Sequence, residues 1–219
     1  MIDQIHRSAE NVVLFPEQSR TEKAAVGWYL RFGKRLADCI AACVGCVILS
    51  PLMLVAVLGI LFESQGPIIF KQERLGLNGK VFILYKFRSM RMDAEAGGPT
   101  WTKRNDNRVT KFGHFLRKYH IDELPQLINI LRGDMSWIGP RPERAYFYHK
   151  FGKDIPEFLT RLAVKPGLTG WAQVNGGYDI GPKEKFLLDK QYIAKQSLRL
   201  DVVVLLKTVS VVLKGNGAR

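Results

Sequence analysis

The residues best suited to chemistry are two adjacent carboxylates, Asp122 and Glu123, in the tetrapeptide Asp122-Glu123-Leu124-Pro125. One reading is purely structural. Asp is a favoured helix N-cap, Glu suits a first turn, and Pro is tolerated there, so capping alone accounts for the tetrapeptide. The other reading draws on the same physics. Backbone N–H groups at a helix start stabilise phosphate, and a carboxylate beside a bound phosphoryl group can coordinate Mg²⁺ or attack phosphorus to give an aspartyl-phosphate. Phosphoryl transfer also requires charge neutralisation. Lys86, Arg88, Arg108, Arg141 and Lys165 offer cations from separate segments. Each alone is an ordinary solvated charge or membrane contact, and their placement in Gly/Pro-rich loops favours function.

Several elements must bring these groups together. Two apolar runs, Ile68–Phe70 and Val81–Tyr85, flank Asn78-Gly79, the signal of a β-hairpin. Residues 92–107, with Gly97-Gly98-Pro99, read as a loop. Thr110 to Tyr119 is basic and amphipathic, suited either to an anionic lipid surface or to packing on the core. The tetrapeptide is expected to open a helix with Leu124, Leu127, Ile128 and Leu131 on its apolar face and Gly133 as its stop. Further helices are expected over Lys183–Ala194 and Leu198–Leu213.

The longest apolar run, Leu36 to Phe62, contains Asp38 as its only charge. About 20 apolar residues suffice to cross a bilayer, yet Ser50-Pro51 sits at its centre. Basic residues flank both ends: Arg31, Lys34 and Arg35 before it, Lys71, Arg74 and Lys80 after it. A simple span concentrates positive charge on one side. Proline removes a backbone hydrogen bond, and Ser50 can re-satisfy a freed carbonyl. A helix that enters, breaks and returns to the same face competes here with a kinked spanning helix. Trp28 to Phe32 places aromatics beside cations, as at headgroup level. The three cysteines, Cys39, Cys43 and Cys46, share one helix face and read as small packing residues. With no small-residue cleavage site after the run, the chain is expected to stay attached to a membrane.

The net charge is +13, spread along the chain, which suits phospholipid, nucleotide phosphates or nucleic acid. Cations and aromatics do not interleave as in a nucleic-acid module, so no nucleic-acid partner is expected. A membrane-attached, non-enzymatic binder of anionic partners or a scaffold stands as the rival class.

In combination and order, several segments resemble one family: Lys34-Arg35 with Asp38; Ser50-Pro51; Gly66–Met90; Asn105–Glu143; Val164–Gly176; Leu188–Ile193; and Leu198–Val209. The chain resembles the bacterial sugar transferase family, monotopic polyprenyl-phosphate phosphoglycosyl transferases. The resemblance implies an α+β, mainly α-helical fold with a re-entrant helix-break-helix, amphipathic interfacial helices and the hairpin. It implies an N-terminal extension over 1–27, the membrane element over 28–65 and a catalytic domain over 66–219, the minimal form of a family whose larger members carry more. It further implies transfer of a sugar-1-phosphate from a UDP-sugar, with a hexose favoured, to undecaprenyl phosphate at the cytoplasmic face of the inner membrane. Asp122 is then nucleophile and Mg²⁺ ligand, or metal ligand alone in a ternary mechanism, and Glu123 assists. Pro140 and Pro142 hold Arg141 beside them. Lys86, Arg88, Lys165, Gln173 and Asp189 serve substrate binding or site structure. A homo-oligomer is compatible with the resemblance. His120 stands where relatives often carry a small hydroxyl residue, and the sequence gives it no catalytic role.

Overall fold

The computed structural model describes residues 27–98, 106–176 and 180–214. The N-terminal extension therefore lies outside the described residues except for Gly27, as does part of the loop after Met92.

After a short π-helical turn at Tyr29–Gly33, the apolar run forms two helices, α1 (Lys34–Ile48) and α2 (Ser50–Glu63), bent by 59° at Leu49. Pro51 lies in the first turn of α2, where a missing N–H costs nothing. Ser50 Oγ donates to the Val47 carbonyl at 2.8 Å, the repair expected at the break. Among the described residues no single helix is long and apolar enough to cross a membrane, and this bent pair alone meets the test jointly. Its outer faces are bare: Val47 is 74% and Phe62 89% exposed.

The base of the pair is polar and turned inward. Arg35 donates to the Ile130 and Leu131 carbonyls, and Lys34 binds Asp201 and the Tyr192 hydroxyl. Asp38 accepts from the Trp137 N–H at 3.1 Å. Of the three cations before the apolar run, Arg31 alone stays exposed, lying over the Phe32 ring.

Strands β1 (Ile69–Leu75) and β2 (Val81–Phe87) form the expected antiparallel hairpin, in register from Ile69–Phe87 to Leu75–Val81. Asn78 adopts positive φ in the turn. Then come α3 (Lys111–Lys118), capped by Thr110 Oγ1 on the Gly113 N–H, and a 3₁₀ turn, Ile121–Glu123. Helix α4 follows (Gln126–Arg132) and stops at Gly133 with φ 89°. The expectation that Asp122 opens this helix is corrected here. The dyad occupies the separate 3₁₀ turn, no side chain caps it, and the α-helix starts after Pro125. The buried face of α4 also differs from expectation, since Leu127 and Ile130 are fully buried while Ile128 is exposed.

The remaining elements are β3 (Ser136–Ile138), α5 (Ala145–Gly152), a 3₁₀ stretch Pro156–Ala163, β4 (Gly167–Thr169), α6 (Trp171–Gly176), α7 (Pro182–Ala194) and α8 (Leu198–Lys214). β3 and β4 pair in parallel. Their backbones cross so closely that a Cβ on Gly139 would meet the Lys165 carbonyl at 2.4 Å, and one on Gly167 the Gly139 nitrogen at 2.1 Å. The core joins both parts of the chain: Ala42 of α1 packs with Phe82, Leu84, Leu127, Ile130 and Met135. Residues of α2 pack with Phe87, Leu116 and Ile121. The fold is α+β and mainly helical, with two small sheets among the described residues.

Candidate active site

His120 ends α3 in the left-handed region, φ 56°, and so turns the chain into the 3₁₀ turn that carries the carboxylates. Ile121 anchors that turn in the α2–α3 core. Asp122 and Glu123 thus lie on the wall of a cleft of about 1070 Å³, each only 6% exposed.

The two acids meet opposite fates. Glu123 Oε1 accepts from Lys86 Nζ at 2.7 Å and from Arg141 Nη2, and its Oε2 accepts from Arg141 Nη1 at 3.3 Å. Burial alone would raise its pKa, but Arg141 and Lys86 hold it well below the usual carboxylate range. Among the described residues no side chain hydrogen-bonds to or ion-pairs with Asp122. Burial pushes its pKa up to about 6; Lys86 opposes the rise and the charge of Glu123 adds to it. Lys86 is itself lowered by burial and drawn back up by Glu123. Burial likewise lowers His120, which lines the same cleft.

The donor set speaks to a metal. No group of three or more His, Cys, Asp or Glu among the described residues could hold one alone. Both Glu123 oxygens are engaged, which leaves Asp122 as the open carboxylate. Mg²⁺ is typically held by one or two carboxylates together with substrate phosphates and water, and that is the binding mode these residues fit.

The structure gathers Lys86, Arg88, Arg141, Gln173 and Asp189 around this cleft with the dyad. Not all of them face a ligand. Arg88 is buried and donates to the Ser64 and Gln65 carbonyls and to Ser64 Oγ, closing the C-terminal end of α2. Gln173 Nε2 donates to the Leu168 carbonyl. Asp189 pairs with Arg161 at 2.8 Å, below the surface. Pro140 and Pro142 are buried on either side of Arg141. Lys165 lies away from the cleft lining: its Nζ sits near Gly133, and burial and Arg35 lower its pKa. Arg108 forms a bidentate pair with Asp106 and lies outside the lining. Ser50 and Pro51 shape the helix break alone.

Sequence reasoning missed three arginines here. Arg117 lines the cleft and helps to lower Asp122. Half-buried Arg74 and buried Arg161 also line it and hold the carbonyls beside Arg141. A signal existed for one of them: Arg161 is the only charge in the run Phe158–Val164.

Comparison with known proteins adds the following. A family model described as bacterial sugar transferase matches residues 29–215. An Aeromonas hydrophila protein named UDP-N-acetylgalactosamine-undecaprenyl-phosphate N-acetylgalactosaminephosphotransferase is 44% identical over 86% of this chain and 45% of its own length. A Xanthomonas campestris pv. campestris UDP-glucose:undecaprenyl-phosphate glucose-1-phosphate transferase is 42% identical over 82% of this chain and 38% of its own. A Bacillus subtilis protein, named as a putative undecaprenyl-phosphate N-acetylgalactosaminyl 1-phosphate transferase, is 51% identical over 59% of this chain and 72% of its own. The chain thus spans less than half the length of the first two.

Proposed function

This chain belongs to the bacterial sugar transferase family, and from that premise we propose that it transfers a sugar-1-phosphate from a UDP-sugar to undecaprenyl phosphate, releasing UMP. The observation that carries the proposal is the asymmetry of the dyad: Glu123 is neutralised by two cations, while Asp122 is buried in the cleft with an unengaged carboxylate. An Asp122 oxygen attacks the β-phosphorus, the P–O bond to the α-phosphate breaks, and UMP leaves. A phosphate oxygen of the lipid then attacks the aspartyl-phosphosugar and frees Asp122. The cations beside Glu123 lie where they can offset charge on the transferring phosphoryl group. Mg²⁺, held by Asp122 and the substrate diphosphate, would supply Lewis-acid neutralisation of the leaving UMP.

The setting proposed is a membrane surface. Exposed Val47 and Phe62 on the broken helix, and Leu206 and Leu213 on α8, form apolar faces suited to a bilayer. The 59° bend and the inward-turned base of the pair support re-entry with both ends on the cytoplasmic side of the inner membrane. The names of the relatives include both glucose and N-acetylgalactosamine, so the hexose preference is an expectation of the sequence.

The test uses purified protein in nanodiscs with Mg²⁺ and a panel of UDP-hexoses and UDP-N-acetylhexosamines, without acceptor. A phosphosugar adduct mapped by mass spectrometry to Asp122 is expected and names the sugar. UMP appearing only after undecaprenyl phosphate is added would replace the covalent route by the ternary one. No adduct and no UMP with any donor would remove the proposal.

A further inference from the structure

The turn that carries Arg141 is fixed from behind by its own main chain. Four consecutive carbonyls each have a separate donor. Pro140 accepts from the Gly167 N–H at 2.9 Å and Glu143 from the Leu75 N–H at 3.1 Å. Between them, Arg141 accepts from Arg161 Nη2 at 3.0 Å and Pro142 from Arg74 Nη1 at 2.8 Å. Two of the four donors are therefore side-chain guanidinium groups, from elements distant in sequence. Arg161 is itself immobilised: its Nε donates to Asp189 at 2.8 Å, and its guanidinium lies over the Phe158 ring at 4.8 Å. It is 4% exposed, and its Nε and Nη2 are already engaged by Asp189 and the Arg141 carbonyl. Burying such a charge is costly unless it is paired and its donors are used. A backbone turn needs no buried guanidinium to stay folded, but a turn whose side chain must meet Glu123 in one geometry gains from having its carbonyls pinned.

We propose that Arg161, with Asp189 behind it, is a positioning residue for the transfer reaction, and that Arg74 shares this role. It holds the Arg141 main chain so that the Arg141 guanidinium engages Glu123 in a fork. Planar Arg fits because one end can pair with Asp189 while another N–H reaches the carbonyl, a geometry Lys cannot reproduce. This inference rests on the proposed function for its kinetic consequence only.

The test compares Arg161→Lys, Arg161→Met and Arg161→Met combined with Arg141→Ala in the full chain in nanodiscs. Misplacing a catalytic contact by a fraction of an ångström to 1 Å costs rate more than binding. Arg161→Lys is therefore expected to lower kcat by about 10²-fold with KM for the UDP-sugar changed less than about 3-fold. In the Arg141→Ala background, Arg161→Met should cost less than about 3-fold more, because residues acting through one another are not additive. Hydrogen exchange is expected to accelerate over residues 138–143 in Arg161→Lys, with α1 and α4 unchanged. Losses that multiply in the double variant, a raised KM at unchanged kcat, or wild-type exchange over 138–143 would each overturn the inference. A wild-type protein that releases no UMP would sink the proposed function, and the exchange arm would still decide whether Arg161 fixes the turn.

Discussion

The broken helix and the cleft solve opposite problems. Along α1 and α2 one apolar face, with Val47 and Phe62, is exposed, while the polar Lys34, Arg35 and Asp38 point in. In the cleft, Glu123, Lys86 and Arg141 are drawn together away from solvent, and apolar packing such as Ile121 lies behind them. The first region leaves apolar side chains exposed and satisfies its polar ones inside. The second accepts the desolvation of charge so that electrostatic interactions count for more than they do in water. The difference teaches that residue type alone does not assign a role here. Three cations of one appearance close a helix end (Arg88), neutralise a carboxylate (Lys86) or pin a turn (Arg161).

The sharpest way to break this contrast is Asp122→Asn. Turnover is expected to fall by about 10³-fold or more, as for loss of a nucleophile, and a coupled UMP assay reads it. Stability should move the other way. The Asp122 pKa is raised from 3.8 to about 6, so its contribution is fully present below the ordinary value and is lost as pH rises through about 6. Asn removes that penalty, and the melting temperature at pH 7.5 should rise. A lower melting temperature would show that ionised Asp122 is satisfied in the native state.

At the junction of the two regions, Arg88→Met removes the donors to Ser64 and Gln65. A destabilisation of about 2 kcal/mol is expected in denaturant titration in nanodiscs, with UDP-sugar KM little changed. A large KM increase at intact stability would instead make Arg88 a substrate contact.

Within the cleft, the acid limb of kcat/KM is expected near the Asp122 pKa of about 6, because only the carboxylate attacks. Glu123→Gln removes a charge that raises Asp122, so the limb should shift to lower pH. Lys86→Met removes one that lowers it, so the limb should shift to higher pH. Shifts in the same direction for both variants would refute this account of the electrostatics.

The smallest effect is expected from Ser50→Ala, which removes only the bond to Val47. A loss of about 1 kcal/mol or less is expected, with the bend intact because Pro51 remains. A distance between spin labels at either end of the pair would report straightening if Ser50 rather than Pro51 sets the break.

Local chemistry made part of this legible in advance. Asn78-Gly79 marked the hairpin and Ser50-Pro51 marked the break, because each is a turn or breaker signal contained in a few residues. Helix α8 followed from the length and apolar content of its run. The β3–β4 pair was not visible: three-residue strands have no periodicity, and their pairing depends on glycines Gly139 and Gly167 meeting across the fold. In the site, the dyad and Arg141 could be named, and the resemblance implied distinct roles for Asp122 and Glu123, but the electrostatic contrast between the two carboxylates could not be read. It arises from Lys86 on β2 and Arg141 after β3 converging on one carboxylate. The roles of Arg74 and Arg161 beside Arg141 were not visible because the bonds that define them go to backbone carbonyls, which every residue has.

The inward-facing base of the broken helix also sets a schedule. Made on a ribosome, Lys34 precedes its partner Asp201 by 167 residues, and Asp38 precedes Trp137 by 99. At roughly 5–20 residues per second, Asp201 emerges about 8–33 s after Lys34. Throughout that interval the nascent pair of helices carries an ammonium whose partner Asp201 has not been made, while the Asp38 carboxylate waits only until Trp137 is added. The last of these ties needs the first turn of α8, where Asp201 lies, so an element made late secures a base made long before.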